Sequence, residues 1–193
     1  MSIRARIEGV GHAVPARILT NDELSTMVDT NDEWIFSRTG IRQRHIAGPE
    51  DTAFTLSLVA AQNALANSGV AAADLDLVIV GTVTGDMQFP STSCLLQDAL
   101  GATKAGAFDV GAACAGFIYS IANATAMIES GMAKHVLVVG VDLLTKIIDW
   151  TDRSTCVLFG DGAGAVVLSA VEGSDRGVLK SVLLSDGSGA KHI

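Results

Sequence analysis

Two short apolar runs, Leu77-Val78-Ile79-Val80 and Val136-Leu137-Val138-Val139, narrow the choice of fold more than anything else in the 193 residues. Each is rich in β-branched residues, shows no polar alternation and is bounded within a few residues. A run of that kind is a strand buried on both faces. Such strands belong to sheets with helices on either side, and the intervening segments supply them. Residues 52 to 68 place Phe54, Leu58, Ala61 and Leu65 at helical spacing and close at Gly69. Ser91 caps a helix that runs to Leu100 before Gly101. A third helix begins at or just after Cys114 and passes through Ile118, Ile121, Thr125 and Ile128 to Gly131.

Further strands are expected at 4–14, ending at Pro15, at 75–83, 105–110, 135–141 and 158–168, and again at 177–184. Thr20-Asn21-Asp22-Glu23 reads as a capping box opening a short helix. Residues 142–150 read as irregular, 151–155 as a polar loop and 185–193 as a tail without a packing signal. Two glycine patterns invite a phosphate-binding reading, Gly9-Val10-Gly11 and Gly160-Asp161-Gly162-Ala163-Gly164. The first lacks a third glycine and runs into Pro15; the second is followed by a valine-rich strand instead of a helix. Both read as places where backbones pack closely. The order β-α-β-α-β-α-β-β, plus one strand, predicts an α/β domain with a mostly parallel five-stranded sheet covered by helices. Reactive residues should then sit beyond the carboxyl ends of strands.

Composition excludes several classes of function. A net charge of −8 leaves no nucleic-acid footprint. Cys94, Cys114 and Cys156 have no metal-ligand spacing, and an odd number of scattered thiols points to a reducing, cytoplasmic setting. No apolar run approaches the ~18 residues of a membrane span, and the first six residues lead into a strand, not a secretion signal. The apolar fraction of 49% suggests that part of the surface meets another chain.

Candidate chemistry centres on Phe108-Asp109-Val110-Gly111-Ala112-Ala113-Cys114-Ala115-Gly116-Phe117, a strand, a small-residue turn and a helix start. A thiol at a helix opening meets free N–H groups and the positive end of the macrodipole, which favour thiolate over thiol. Small neighbours let a substrate carbonyl approach the backbone. The residues alone leave two readings, a nucleophile or an ordinary buried thiol. The polar segment 29–45 carries Trp34 with Arg38, Arg42 and Arg44. Trp34 with arginines could sandwich an adenine ring and hold phosphates; equally, it could anchor a surface helix while the arginines pair with Asp and Glu. Phe89, on a loop, could line a cavity or an interface, or pack in the core.

Four blocks in colinear order resemble the β-ketoacyl-acyl carrier protein synthase III family of thiolase-like condensing enzymes: DTNDEWIFSRTGIRQRHIA (29–47), FPS (89–91), FDVGAACAGFIYSI (108–121), and TDRST with FGDGAGAVVL (151–168). The resemblance is to the N-terminal half. It implies residues 1–172 as the thiolase-like domain carrying the nucleophile and 173–193 as the start of a second half. It implies an acyltransferase of fatty-acid biosynthesis that moves an acyl group from acyl-coenzyme A to Cys114 through an acyl-thioester intermediate. Decarboxylative condensation with malonyl-acyl carrier protein would follow. Cys114 is then the nucleophile and its own N–H one oxyanion donor. Trp34, Arg38 and Arg153 match residues around the adenine end of coenzyme A, and Thr30 a weaker contact. Phe89 matches a residue closing the partner's acyl pocket in a cytoplasmic homodimer paired through strand 105–110. No cofactor beyond the coenzyme A thioester substrate and no metal is implied. The catalytic His and Asn of the family find no matching position, since His12, His45, His135 and His192 lie in other contexts. The 193 residues are therefore expected to be incompletely active alone. A related condensing enzyme of polyketide or quinolone type, or a non-catalytic half pairing with a second chain, fits the same blocks.

Overall fold

The computed structural model describes residues 3–192, with side chains to 190. Expectations placed on Met1, Ser2, the His192 side chain and Ile193 lie outside the described residues. In chain order the elements are β1 (Ile3–Ala13), β2 (Arg17–Thr20), α1 (Asn21–Leu24), α2 (Asp32–Thr39), β3 (Gln43–Ile46), α3 (Ala53–Ser68), β4 (Leu77–Gly81) and α4 (Thr92–Ala99). They continue as β5 (Gly106–Val110), α5 (Gly116–Glu129), β6 (His135–Leu143), α6 (Arg153–Cys156) and β7 (Asp161–Glu172).

One five-stranded sheet has the order β1-β7-β6-β4-β5. Its pairings divide evenly: β5, β4 and β6 run parallel, and β6, β7 and β1 antiparallel. The two apolar runs are its centre. Along β4, Leu77 and Ile79 face one core while Val78 and Val80 face the other. Val136 and Val138 of β6 join the first core, and Leu137 and Val139 the second. The period-2 alternation of a strand sends both sets into apolar surroundings because helices cover both faces. Helices α3 and α4 contribute Ala60, Ala64 and Leu96 to one layer, and α5 contributes Ala124 and Ile128 to the other.

The helix signals convert directly into caps. Thr52 and Thr55 exchange side-chain and backbone bonds at the start of α3, and Gly69 ends it at φ +71°. Gly9 and Gly11 seat α3 on β1: a Cβ at Gly9 would lie 2.4 Å from the Ala64 carbonyl oxygen, and one at Gly11 2.2 Å from that of Ala60.

Three local expectations change. Residues 177–184 form no strand; Val178 N–H donates once to the Ala5 carbonyl, at 2.8 Å, and Leu179, Val182 and Leu184 are exposed. The run has β character, but it meets the free edge of β1 through that one bond and builds no ladder. The loop at 151–155 contains one helical turn, α6, because the Asp152 carboxylate accepts the Ser154 amide at 2.9 Å and caps it. The polar segment after Pro15 contains a small antiparallel pair, β2 with β3, over a separate apolar cluster built on Leu19, Leu24, Ile35, Ile46, Cys156 and Val157.

Candidate active site

Strand β5 ends at Val110, and the chain then turns sharply. Ala113 takes φ +46°, the only positive φ outside glycine among the described residues. That conformation costs an L-residue roughly 1–2 kcal/mol, and alanine has the smallest Cβ to fit there. The bend leads into a 3-10 turn, Ala113–Ala115, which feeds α5. Within it, Ala115 N–H donates to the Ala112 carbonyl at 3.1 Å, and Gly116 N–H to that of Ala113. The amides of Ala113 and Cys114 open the turn and precede any such partner. No side chain caps the turn or α5. Cys114 is exposed here, whereas Cys94 is half-buried and Cys156 fully buried. Burial pushes the Cys156 thiol up, with Asp152 adding to the shift and Arg44 opposing it. The ordinary-buried-thiol reading therefore describes Cys156 and not Cys114.

A cavity of about 280 Å³ adjoins Cys114, lined also by Gly81, Ala113, Phe117, Gly140, Val141, Asp142 and Gly164. Its floor is a row of glycines in register across the sheet, Gly81 beside Gly140 and Gly140 beside Gly164. A Cβ on Gly81 would lie 2.8 Å from the Gly116 carbonyl carbon, and one on Gly140 3.1 Å from the Phe117 ring. The start of α5 can sit low over the strand ends only because those side chains are missing. Asp142 is not free to act as a base through Oδ1, which accepts the Val83 amide and the Thr84 hydroxyl at 2.9 Å and the Thr82 hydroxyl at 3.2 Å. No histidine among the described side chains lines the cavity. His45 Nδ1 sits 2.6 Å from the Pro15 carbonyl, and His135 Nδ1 2.8 Å from the Ser169 hydroxyl at the opposite, amino end of β6.

The second candidate group assembles on α2 and α6. The guanidinium carbons of Arg38 and Arg153 lie 4.5 and 4.6 Å from the centre of the Trp34 ring. Arg153 is fixed by a 2.9 Å bond from Nη1 to the Asp29 carbonyl. The neighbouring Thr30 hydroxyl is buried and has no hydrogen-bond partner among the described residues. Arg38 and Arg153 stay at the indole, while Arg42 pairs with Asp32 at 2.6 Å and lies 3.7 Å from the centre of the Phe36 ring. Trp34, Arg38 and Arg153 stand together but do not line the Cys114 cavity. Phe89 is 83% exposed, so it does not pack in the core. Its loop is held at one end by Asp86, whose carboxylate accepts the Ala53 and Phe54 amides at 2.9 and 2.8 Å.

The sequence groups Arg44 with Arg38 and Arg42 and gives no sign that it is buried. On a strand of four residues between Gln43 and His45 it reads as one more surface cation, yet it is 5% exposed and its donors reach three segments. Burial lowers its pKa from the usual guanidinium value, opposed by Cys156. Alternation with buried Ile46 along β3 is the one pattern that could have pointed inward.

Comparison with known proteins agrees with this architecture. Residues 108–187 match the family model described as 3-Oxoacyl-[acyl-carrier-protein (ACP)] synthase III. The chain is 58% identical over 186 residues to the beta-ketoacyl-[acyl-carrier-protein] synthase III of Xylella fastidiosa (strain 9a5c), covering 96% of this chain and 57% of that one. It superposes on 3-oxoacyl-[acyl-carrier-protein] synthase III from Aquifex aeolicus VF5 with a TM-score of 0.85 at 49% identity, over 87% of this chain and 54% of that one. It is also similar to the priming beta-ketosynthase of the R1128 polyketide biosynthetic pathway, with a TM-score of 0.92 at 42% identity, over 98% of this chain and 56% of that one. The chain thus spans a little over half the length of the relatives it matches.

Proposed function

We propose that this chain, 58% identical to a beta-ketoacyl-[acyl-carrier-protein] synthase III of which it spans 57% and matching the family model over residues 108–187, carries the acyl-accepting half of a condensing enzyme of fatty-acid initiation. The observation that supports this most is an exposed thiol in the uncapped turn that opens α5, beside a cavity with a glycine floor. In the proposed step the Cys114 thiolate attacks the thioester carbonyl of an acyl-coenzyme A. The C–S bond to coenzyme A breaks, the coenzyme leaves as its thiolate, and the acyl group stays on Cys114. Amides opening the turn, that of Cys114 among them, would face the oxygen on which negative charge develops. Trp34, Arg38 and Arg153 are proposed to hold the adenosine and phosphate end of the donor, with Thr30 nearby. An indole face offers stacking area, and paired guanidiniums offer planar donors to phosphate.

The second step, decarboxylative condensation with malonyl-acyl carrier protein, needs acid–base groups for which these residues offer no matching His and Asn. Losing one positioned group of that kind typically costs ~10²–10⁴-fold. The chain alone is therefore proposed to take up acyl groups without turning over. We further propose a homodimer through β5, which is an edge strand of the sheet, with exposed Phe89 reaching the partner.

The test follows release of free coenzyme A from acetyl-coenzyme A in the presence of malonyl-acyl carrier protein. One equivalent per chain, with no sustained β-ketoacyl product, is expected. No release would overturn the acyl-transfer reading, and sustained turnover would overturn the half-reaction reading. The likeness to the polyketide priming synthase favours one second reading, the same thiol chemistry with a polyketide starter acyl group. Preference among acyl-coenzyme A donors in the same assay separates the two.

A further inference from the structure

One cation is buried and makes no ion pair among the described residues. Arg44 of β3 donates from Nη1 to the Leu19 carbonyl at 3.2 Å, and from Nη2 to Asn21 Oδ1 at 2.8 Å and the Val157 carbonyl at 3.2 Å. Its acceptors are all neutral. Asn21, itself 1% exposed, passes the connection on: Nδ2 donates to Asp32 Oδ1 at 2.8 Å and to the Ile41 carbonyl at 2.7 Å. The ends of this relay carry the second candidate group. Val157 caps α6, which bears Arg153, and Asp32 opens α2, which bears Trp34 and Arg38. An apolar side chain of similar length would fill the space without the cost of desolvating a charge. It could not supply the three bonds that Nη1 and Nη2 make to acceptors on three segments, bonds kept although the buried Nε–H finds no partner among the described residues.

We infer that Arg44 is a positioning residue for the coenzyme end of the acyl donor, holding α6 against α1 and α2 so that Arg153 meets Trp34. The inference rests on the reading that Trp34, Arg38 and Arg153 take that end. The backbone at Gly160 is part of the same fitting. A Cβ there would lie 2.9 Å from Arg44 Cβ and 3.3 Å from the His45 carbonyl oxygen, so any side chain at 160 displaces β3 at this point. One of the alternating glycines thus makes room for the Arg44 Cβ and the β3 backbone.

The test uses the 193-residue chain with coenzyme A as titrant, and single-turnover acylation by acetyl-coenzyme A read by intact mass. Trp34→Ala is measured first. If it leaves coenzyme A affinity unchanged, the underlying site reading fails, and this inference with it. If it weakens binding, Arg44 is tested independently. Arg44→Met is expected to raise the coenzyme A dissociation constant about tenfold, the scale of losing charged buried hydrogen bonds. The acylation rate at saturation should stay within about twofold, and Arg44→Lys should recover part of the affinity. In an Arg153→Ala background the same substitution should add less than about twofold, because the two act through one group. If Arg44→Met does not fold, Gly160→Ala and Arg44→Lys carry the test, with affinity loss expected in both. Wild-type affinity in a folded Arg44 variant overturns the inference, as does full multiplication of the two losses in the double variant.

Discussion

Replacing Gly81 by alanine tests how the thiol turn is seated. Its added Cβ would lie 2.8 Å from the Gly116 carbonyl carbon and 3.0 Å from the Gly116 oxygen and the Phe117 nitrogen. All of these are backbone, at the first residues of α5. To restore an ordinary carbon contact of ~3.5 Å, the helix start must retreat by about 0.7 Å. Overpacking of this kind costs about 1–3 kcal/mol, and the gain from removing a glycine within a strand offsets about 0.5–1 kcal/mol. The net, centred on a loss of about 1 kcal/mol and at most about 2.5 kcal/mol, lowers Tm by about 2–4 °C and by no more than about 10 °C in a chain of this size. Cys114 rides on the displaced turn, so its acylation rate should fall as well; a 1 Å misplacement can cost ~100-fold. Neighbouring positions in the same row grade the effect. At Gly140 the added carbon meets the Phe117 ring at 3.1 Å and the Phe117 Cβ at 3.2 Å, a looser approach than at Gly81; at Gly164 it meets nothing within 4 Å. Thermal unfolding and single-turnover acylation should therefore rank Gly81→Ala worst, Gly140→Ala between and Gly164→Ala with Tm at or slightly above the parent. A Gly81→Ala protein with parental Tm and acylation rate, or a Gly164→Ala protein damaged as badly, would refute the steric reasoning.

Asp161→Ala leaves the Ala47 and Thr145 amides and the Thr145 hydroxyl without their acceptor. At ~1–3 kcal/mol for each unsatisfied buried group, urea unfolding should show a loss of about 3 kcal/mol or more, and an unchanged midpoint would contradict the assignment. Acid should weaken the fold in two stages. Burial, with Lys134, lowers the His135 pKa, so the unfolded chain takes up that proton first and stability falls as pH drops below ~6.5. For Asp76, burial alone would raise the carboxyl, but the His135 and Lys134 amides donating to it hold it below the usual range. Its stabilisation is present above ~3.9 and lost as pH falls further. Urea midpoints at pH 7.5, 5.5 and 3.5 should decline in that order, and a flat or rising series toward acid would be inconsistent with both shifts. Phe89→Glu should shift sedimentation toward monomer across a dilution series; a parent chain that is monomeric at every concentration removes the basis for the proposed dimer.

Much of the architecture was legible because it depends on local periodicity. The Leu77–Val80 and Val136–Val139 runs located the sheet centre, and Thr52, Ser91 and Gly69 marked helix ends through bonds between residues a few positions apart. Sheet membership was less legible, since a ladder needs a partner. The 177–184 run has strand composition and none of the pairing, whereas β2 and β3 are too short and polar to be seen without each other. At the candidate site, the Cys114 turn could be placed from its small residues and Trp34 with Arg38 from their shared segment, whereas Arg153 was joined to them only by the family resemblance. Arg44 could not be placed, because its meaning lies in Val157, which is 113 residues away. The sharp bend at Ala113 was equally hidden, as alanine carries no sequence mark of a left-handed conformation.

The central claim is best measured by peptide mapping of the chain after brief exposure to radiolabelled acetyl-coenzyme A. The account predicts one acetyl group per chain, on the peptide containing Cys114, released by hydroxylamine as a thioester and absent from Cys114→Ala. Label on Cys94 or Cys156, or label that persists in Cys114→Ala, would contradict it.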